Sequence, residues 1–386
     1  MGAQMKKRFP LGVLFAAVLA ALPIAVHAEY VVGVVAPVTG PHAQIGRSIR
    51  NGAVLALEIA EDGGKFGEVR LSLHSLDDAG TPKEVAERIA KFVRDELAIL
   101  VIGPLLSSHA EAAADLANHA KFPLLAPGTS EAINATGKWA FRLSMSPYRT
   151  IYALAAKAVG SSSGKQLVLL HMKGNQGFAS QAAEFRAAAA RAGASIAADV
   201  AADISTDFVE AAAKLIQDAG ADIVFLAMDA EPGAAVARAL EVTGKRPLLV
   251  FPPAAAHAAL VRIGGNAVEG ALTAADFLAE SAGRENEDFR KAYQTRYGIP
   301  ADNWAGLGFA TGQLAAEALR NAGPSPDPET VRVAMERINN LPIVLGASPW
   351  RQDAVRNPIY VPRLYEVRAG QFVPVDGAAS VERTGQ

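Results

Sequence analysis

Two apolar runs in the first third of the chain stop at small hydroxyl-bearing clusters. "VIGPLL" leads into Ser107-Ser108-His109, and "FPLLAP" leads into Gly128-Thr129-Ser130. Hydroxyls, an imidazole and the open main chain at a glycine are all hydrogen-bond donors. Gathered at one point they suit an anion, and a carboxylate above all. Nucleophilic catalysis fits less well, because Ser108 and His109 are adjacent and a neighbouring base is badly placed to take the serine proton. Ser108 also has a purely structural reading. Ser108-x-x-Glu111 is a capping box, in which the hydroxyl serves its own helix.

The elements that would position these clusters alternate regularly. "YVVGVVAPVTG" is a valine-rich strand, followed by a helical pattern over 44–61. "VRLSLHSLDD" is a second strand, and Thr81-Pro82-Lys83-Glu84 opens a helix with a capping box and proline at its first position. "AILVIG", a helix over 108–120 and "FPLLAP" continue the alternation. It restarts with a helix over 148–159, the strand "QLVLLHM", a helix over 179–192 and a strand over 195–200. A helix over 207–218, "DIVFLAM", a helix over 232–243, "PLLVFP" and a strand over 270–275 follow. Helices over 285–297, 303–321 and 328–339 precede two closing strands, "YVPRLYEV" and "QFVPV". Strands apolar on both faces, alternating with helices, indicate an α/β fold with parallel sheets. Ligands of such sheets sit beyond the carboxyl ends of the strands, where helix amino termini favour anions. Both hydroxyl clusters stand at such ends.

Composition limits the function. The 386 residues carry a formal charge of -2, which favours neither nucleic acid nor an anionic membrane as partner. There is no cysteine, so neither a disulfide nor a cysteine-linked lipid anchor is possible. Lys6, Lys7 and Arg8, an apolar run over 11–26 and the small-x-Ala ending Val26-His27-Ala28 have the layout of a cleavable export signal. The expected mature chain begins near Glu29 and keeps roughly 360 residues, enough for two domains.

At this level the chain resembles the periplasmic amino-acid-binding proteins typified by the leucine/isoleucine/valine-binding protein. The resemblance rests on "APVTGPHAQIGRSIRNGAVLALE", "DDAGTPKEVAERIAKFV", "VIGPLLSSHAEAAADLA", "PLLAPGTSEAIN" and "YEVRAGQFVPV", in that order and spacing. It implies two Rossmann-like lobes joined by three hinge crossings (the type I periplasmic binding fold), closing on a ligand. Carried over, one lobe takes residues 29–147 and 274–346, and the other takes 148–273 and 347–386. The family's carboxylate-binding serine falls on Ser107, its second hydroxyl on Ser130, and the backbone position between on Gly128. An aromatic wall falls on Trp304. His42 and His109 line the same region by position.

The departures bear on the ligand. Where the family usually carries Tyr-Gly, this chain has Gln176-Gly177, followed by Phe178. A common aromatic is replaced by Asp229, and the acid that pairs with a ligand ammonium falls near Pro253. A buried cation without a partner costs several kcal/mol. Either Asp229 supplies the charge, or the ligand has no α-amino group and is an organic acid or amide. Asp229 as a helix cap, Trp304 as core and Phe178 as a helix staple are the competing structural readings.

Rival motifs are weak. "GSSSG" (160–164) formally fits a nucleophile elbow, but a helix precedes it and a strand follows. "GLGFATG" lies in a helical region and misses the dinucleotide spacing. The seven histidines show no metal-ligand spacing, and no cofactor is expected. The expectation is a non-enzymatic, monomeric periplasmic binding protein of an ABC importer that passes a small carboxylate to a membrane permease. A sensor of the same fold, presenting its closed form to a signalling partner, is the alternative.

Overall fold

The computed structural model describes Gly2 and residues 29–40, 42–205, 207–279 and 284–375. The expected export signal, 1–28, lies outside these residues apart from Gly2, as does the tail from 376 to 386.

The first lobe is built on β1 (Glu29–Ala36), β2 (Arg70–Asp77), β3 (Leu100–Ile102), β4 (Leu124–Ala126) and β5 (Ala140–Arg142). All its pairings are parallel, in the order β2-β1-β3-β4-β5. Helices α1 (Ala43–Asp62), α2 (Pro82–Glu96), α3 (Ser107–Ala120) and the short α4 (Ala132–Ala135) connect these strands. The chain then crosses into α5 (Pro147–Ser161) and the second lobe. Its strands are β6 (Gln166–Met172), β7 (Ser195–Ala202), β8 (Ile223–Ala227), β9 (Leu248–Val250) and β10 (Leu272–Ala275), with helices α6 (Gln176–Arg191), α7 (Phe208–Asp218), α8 (Ala230–Val242) and α9 (Ala258–Gly264). A second crossing leads to α10 (Arg284–Tyr297), α11 (Asn303–Ala322) and α12 (Pro328–Arg337). Of these, α11 packs along α1 of the first lobe. The pair β11 (Arg351–Gln352) and β12 (Pro358–Ile359) precedes β13 (Arg363–Arg368) and β14 (Gln371–Val375). These last two extend the second sheet antiparallel, in the order β14-β13-β10-β9-β8-β6-β7.

The buried strand β8 (IVFLA) and the Val/Leu runs of β3, β4 and β9 explain why both sheets are covered on each face. The capping box at Thr81 and Glu84 forms as the sequence indicates, with Pro82 opening α2. "GLGFATG" has a packing explanation. A Cβ on Gly308 would lie 2.0 Å from the Ile49 carbonyl oxygen, so glycine lets α11 close onto α1. "GSSSG" spans the end of α5 and the turn into β6, the helix-then-strand order its rejection assumed.

One boundary differs from expectation. The resemblance places residues 350–359 with the second lobe, whereas they hydrogen-bond to the first. Trp350 Nε1 donates to Leu143 O at 3.0 Å, and Arg356 Nη1 to Ala140 O at 3.1 Å. This segment supplies polar cover beside β5, the last strand of the first sheet, and the chain returns to the second lobe near 360–363.

The three crossings lie side by side. Met145 N donates to the Tyr360 hydroxyl at 3.3 Å, linking the first crossing to the third. Gly346 N donates to Asp276 O at 2.7 Å, tying the chain before β11 to the second crossing.

Candidate functional site

A cavity of about 1530 Å³ opens between the lobes. Ser107, Gly128, Thr129 and Trp304 line it from the first lobe, Asp229, Pro253 and His257 from the second, and Met145 and Asp276 from the crossings. Asn303 Nδ2 donates to Ala256 O at 3.0 Å, a direct bond between the lobes at this cavity.

On the first lobe, β3 and β4 deliver their loops to the same rim. Ser107 is the first residue of α3, so its hydroxyl stands beside main-chain N–H groups that have no intrahelical partner. Gly128 and Thr129 follow β4 after Pro127, and Thr129 is exposed towards the cavity. Arg142, only 1% exposed, holds this loop from behind by donating from Nη1 to Thr129 O at 2.9 Å. Five of the expected site residues therefore come together here: Ser107, Gly128, Thr129, Asp229 and Trp304.

The other six lie off the lining. Ser130 donates its hydroxyl to Glu111 Oε1 at 2.5 Å, which turns it towards α3. That bond also removes the capping-box reading of Ser108. The helix begins two residues earlier than the box requires, no side chain caps it, and Glu111 is engaged with Ser130 instead. Ser108 is exposed and outside the lining. His109 lies roughly 200° around the helix from Ser107, and is buried with Nδ1 3.8 Å from Asp78 Oδ2. That is ion-pair distance rather than a hydrogen bond. Burial raises the Asp78 carboxyl above its ordinary range, and the nearby imidazole opposes part of the shift.

His42 is exposed ahead of α1. Gln176 is exposed at the start of α6, where the Asn175 side chain accepts from Phe178 N at 3.1 Å. Phe178 is buried in the core between α5 and α6, so it packs the helix rather than facing a ligand. Gln181, further along α6, lines the cavity where these two do not, and its Oε1 is buried without a partner.

Asp229 occupies the cap position of α8 but makes no capping hydrogen bond, leaving its exposed carboxylate beside the cavity. Trp304 is 40% exposed, a wall rather than core. Just before it, Asp302 is already occupied, accepting from Ala305 N at 2.7 Å and from Ser48 Oγ at 2.8 Å.

Asp276 was missed at the sequence level, although it also ends an apolar strand, β10. The residue keeps part of its surface on the cavity, but its Oδ1 is shut off from solvent and has no partner. The Tyr360 hydroxyl bonds the carboxyl group. Burial pushes Asp276 up to about 6, with the Tyr360 bond pulling the other way.

A group raised in the folded state stabilises the fold below its unfolded pKa and loses that contribution as pH climbs through its folded pKa. Ionised Asp276 should therefore cost about 1–3 kcal/mol above pH 6. Asp276→Asn is expected to be more stable than wild type by that amount at pH 7.5, with the difference vanishing below about pH 4. Urea unfolding at both pH values checks this; an equal difference at both would remove the linkage.

Among the described residues no helix is long and apolar enough to cross a membrane. The family described as periplasmic binding protein matches residues 29–370. A Leu/Ile/Val-binding protein homologue from Brucella melitensis is 25% identical over 316 residues, covering 81% of this chain and 84% of that protein. A putative branched-chain amino acid ABC transporter structure from Rhodospirillum rubrum superposes with a TM-score of 0.81 at 23% identity, covering 90% of this chain and all of that one. A solute-binding protein from R. palustris in complex with benzoate superposes with a TM-score of 0.72 at 22% identity, covering 92% of this chain and 97% of that one.

Proposed function

Because this chain belongs to the periplasmic binding protein family, we propose that it captures a small carboxylate between its lobes and hands it to an ABC permease. The observation that carries this reading is the shared rim of Ser107, Gly128 and Thr129 at the amino end of α3. A carboxylate there would accept from hydroxyls and main-chain N–H groups in the field of the helix terminus. Trp304 offers an apolar wall for the rest of the ligand.

The likeness to a Leu/Ile/Val-binding homologue favours an aliphatic amino acid, and the likeness to a benzoate complex favours an aromatic acid. Pro253 occupies the position expected for the acid that pairs with an ammonium, so the two classes separate on whether another carboxylate takes that role. Binding favours the closed state to the extent that the second lobe adds contacts to the bound ligand. Capture and release then need no covalent step, and the permease recognises the closed form. The expected place of work is the periplasm, reached through the signal at 1–28.

A thermal-shift screen of aliphatic amino acids, aromatic acids and short carboxylates tests the reading, since a ligand at 100 times its Kd stabilises by about 2.7 kcal/mol. Ser107→Ala is expected to weaken the best ligand by about 1–3 kcal/mol through loss of a charge-assisted hydrogen bond. Titration calorimetry measures it. No shift with any carboxylate, or an unchanged Kd in Ser107→Ala, would overturn the assignment.

A further inference from the structure

We propose that Asp276 contacts the ligand directly and reads a second polar group on it, a hydrogen-bond donor such as an ammonium or a hydroxyl. This rests on the carboxylate-binding reading above and extends it to what distinguishes one carboxylate from another.

The argument starts from the acids that line the cavity. Both oxygens of Asp302 are engaged, by Ala305 N and by Ser48 Oγ. Asp229 and Glu287 are exposed, so water satisfies them in the absence of a ligand. Asp276 alone among these four combines a place on the lining with a carboxylate oxygen that is dry and without a partner. A buried acceptor left unmade is costly, and a ligand donor reaching it gains more than one that replaces water at an exposed acid.

Its setting makes the contact consequential. Asp276 follows β10 at the second crossing, its own carbonyl accepts from Gly346 N, and its side chain meets the Tyr360 hydroxyl. That hydroxyl accepts from Met145 N on the first crossing. The carboxylate is thus held by the segments about which the lobes move, rather than by either lobe alone. Pro253, on the same lining, carries no charge, and Asp276 supplies one.

The test uses ligands that differ only in the donor. Leucine, 2-hydroxy-4-methylpentanoate and 4-methylpentanoate carry an ammonium, a hydroxyl and neither at the same carbon; 4-hydroxybenzoate and benzoate form an aromatic pair. Dissociation constants are measured by calorimetry for wild type, Asp276→Asn, Asp276→Ala and Asp229→Asn, with thermal unfolding of each free variant as the folding control.

Wild type is expected to prefer a donor-bearing member of one set. Asp276→Asn or Asp276→Ala should cut that preference at least tenfold while moving the donor-free member less than about threefold. Which member responds tells an ammonium from a hydroxyl, and which set responds tells an aliphatic ligand from an aromatic one. Equal weakening of every ligand would reduce Asp276 to a structural group and overturn the proposal. So would a wild type with no donor preference, or a preference lost in Asp229→Asn and kept in both Asp276 variants. If wild type binds none of the five, the carboxylate reading falls and this inference with it; if it binds but the Asp276 variants keep its preference, only this inference falls.

Discussion

Arg142→Leu is expected to lower folding stability by about 3–5 kcal/mol, more than any substitution at the cavity rim. The side chain is 1% exposed and donates to four acceptors: Asn134 Oδ1 at 3.1 Å, Thr129 O at 2.9 Å, Ser144 O at 3.1 Å and Asn357 Oδ1 at 3.0 Å. Two effects oppose each other. Removing the guanidinium relieves its own desolvation, which already draws its pKa below the ordinary arginine value. It also takes a donor from four oxygens; Asn357 Oδ1 keeps Asn134 Nδ2 at 3.3 Å, and each of the other three costs about 1–3 kcal/mol when buried without a partner. A polar cavity of about 350 Å³ beside Arg142 lets water reach some of them, so the costs do not simply add. The stranded acceptors still outweigh the relief. Because the same side chain joins the Thr129 loop, the first crossing and the 350–359 segment, ligand affinity should fall as well. Urea unfolding reads the first effect and calorimetry the second. A loss under about 1 kcal/mol would show that the guanidinium is dispensable to the fold.

Gly308→Leu is expected to cost about 3 kcal/mol or more, at the upper end of overpacking effects. The Cβ alone would stand 2.0 Å from Ile49 O and 2.7 Å from Ile49 C, and backbone atoms cannot rotate out of the way. The helices α1 and α11 must move apart, and Gly52 and Gly312 make the same close approach along that seam. Since α11 also carries Trp304 and the Asp302 cap, the cavity wall should shift with it. Thermal unfolding and the leucine or benzoate Kd measure the two consequences. A variant as stable as wild type would mean that the helices have slack at this crossing.

Much of the architecture was legible because it is written in local pattern. The Val/Leu runs that stop at Pro or Gly became the buried strands, and "QLVLLHM" and "QFVPV" match β6 and β14 residue for residue. The Thr81 box marked the start of α2, since its side chains bond to groups within three residues of one another. Elements with little local signal were not legible. The three-residue β5 and the two-residue strands β11 and β12 bury too few side chains to stand out, and form because distant chain packs beside them.

The site divides in the same way. Sequence alone determined that hydroxyls and a glycine stand at the ends of β3 and β4, because an apolar run and its termination are read within ten residues. It also determined that the chain has no thiol chemistry and an α/β fold. Only the tertiary structure decided which of those groups face the cavity. On α3 the packing buries His109 beside Asp78 and leaves Ser107 on the rim, and Ser130 is drawn aside by Glu111, nineteen positions earlier. Asp276 needed more still, since its carboxyl group meets Tyr360 and its main chain meets Gly346, brought to it by crossings far apart in the chain. Side-chain direction and solvation are set by what packs across a gap, and no local pattern records that.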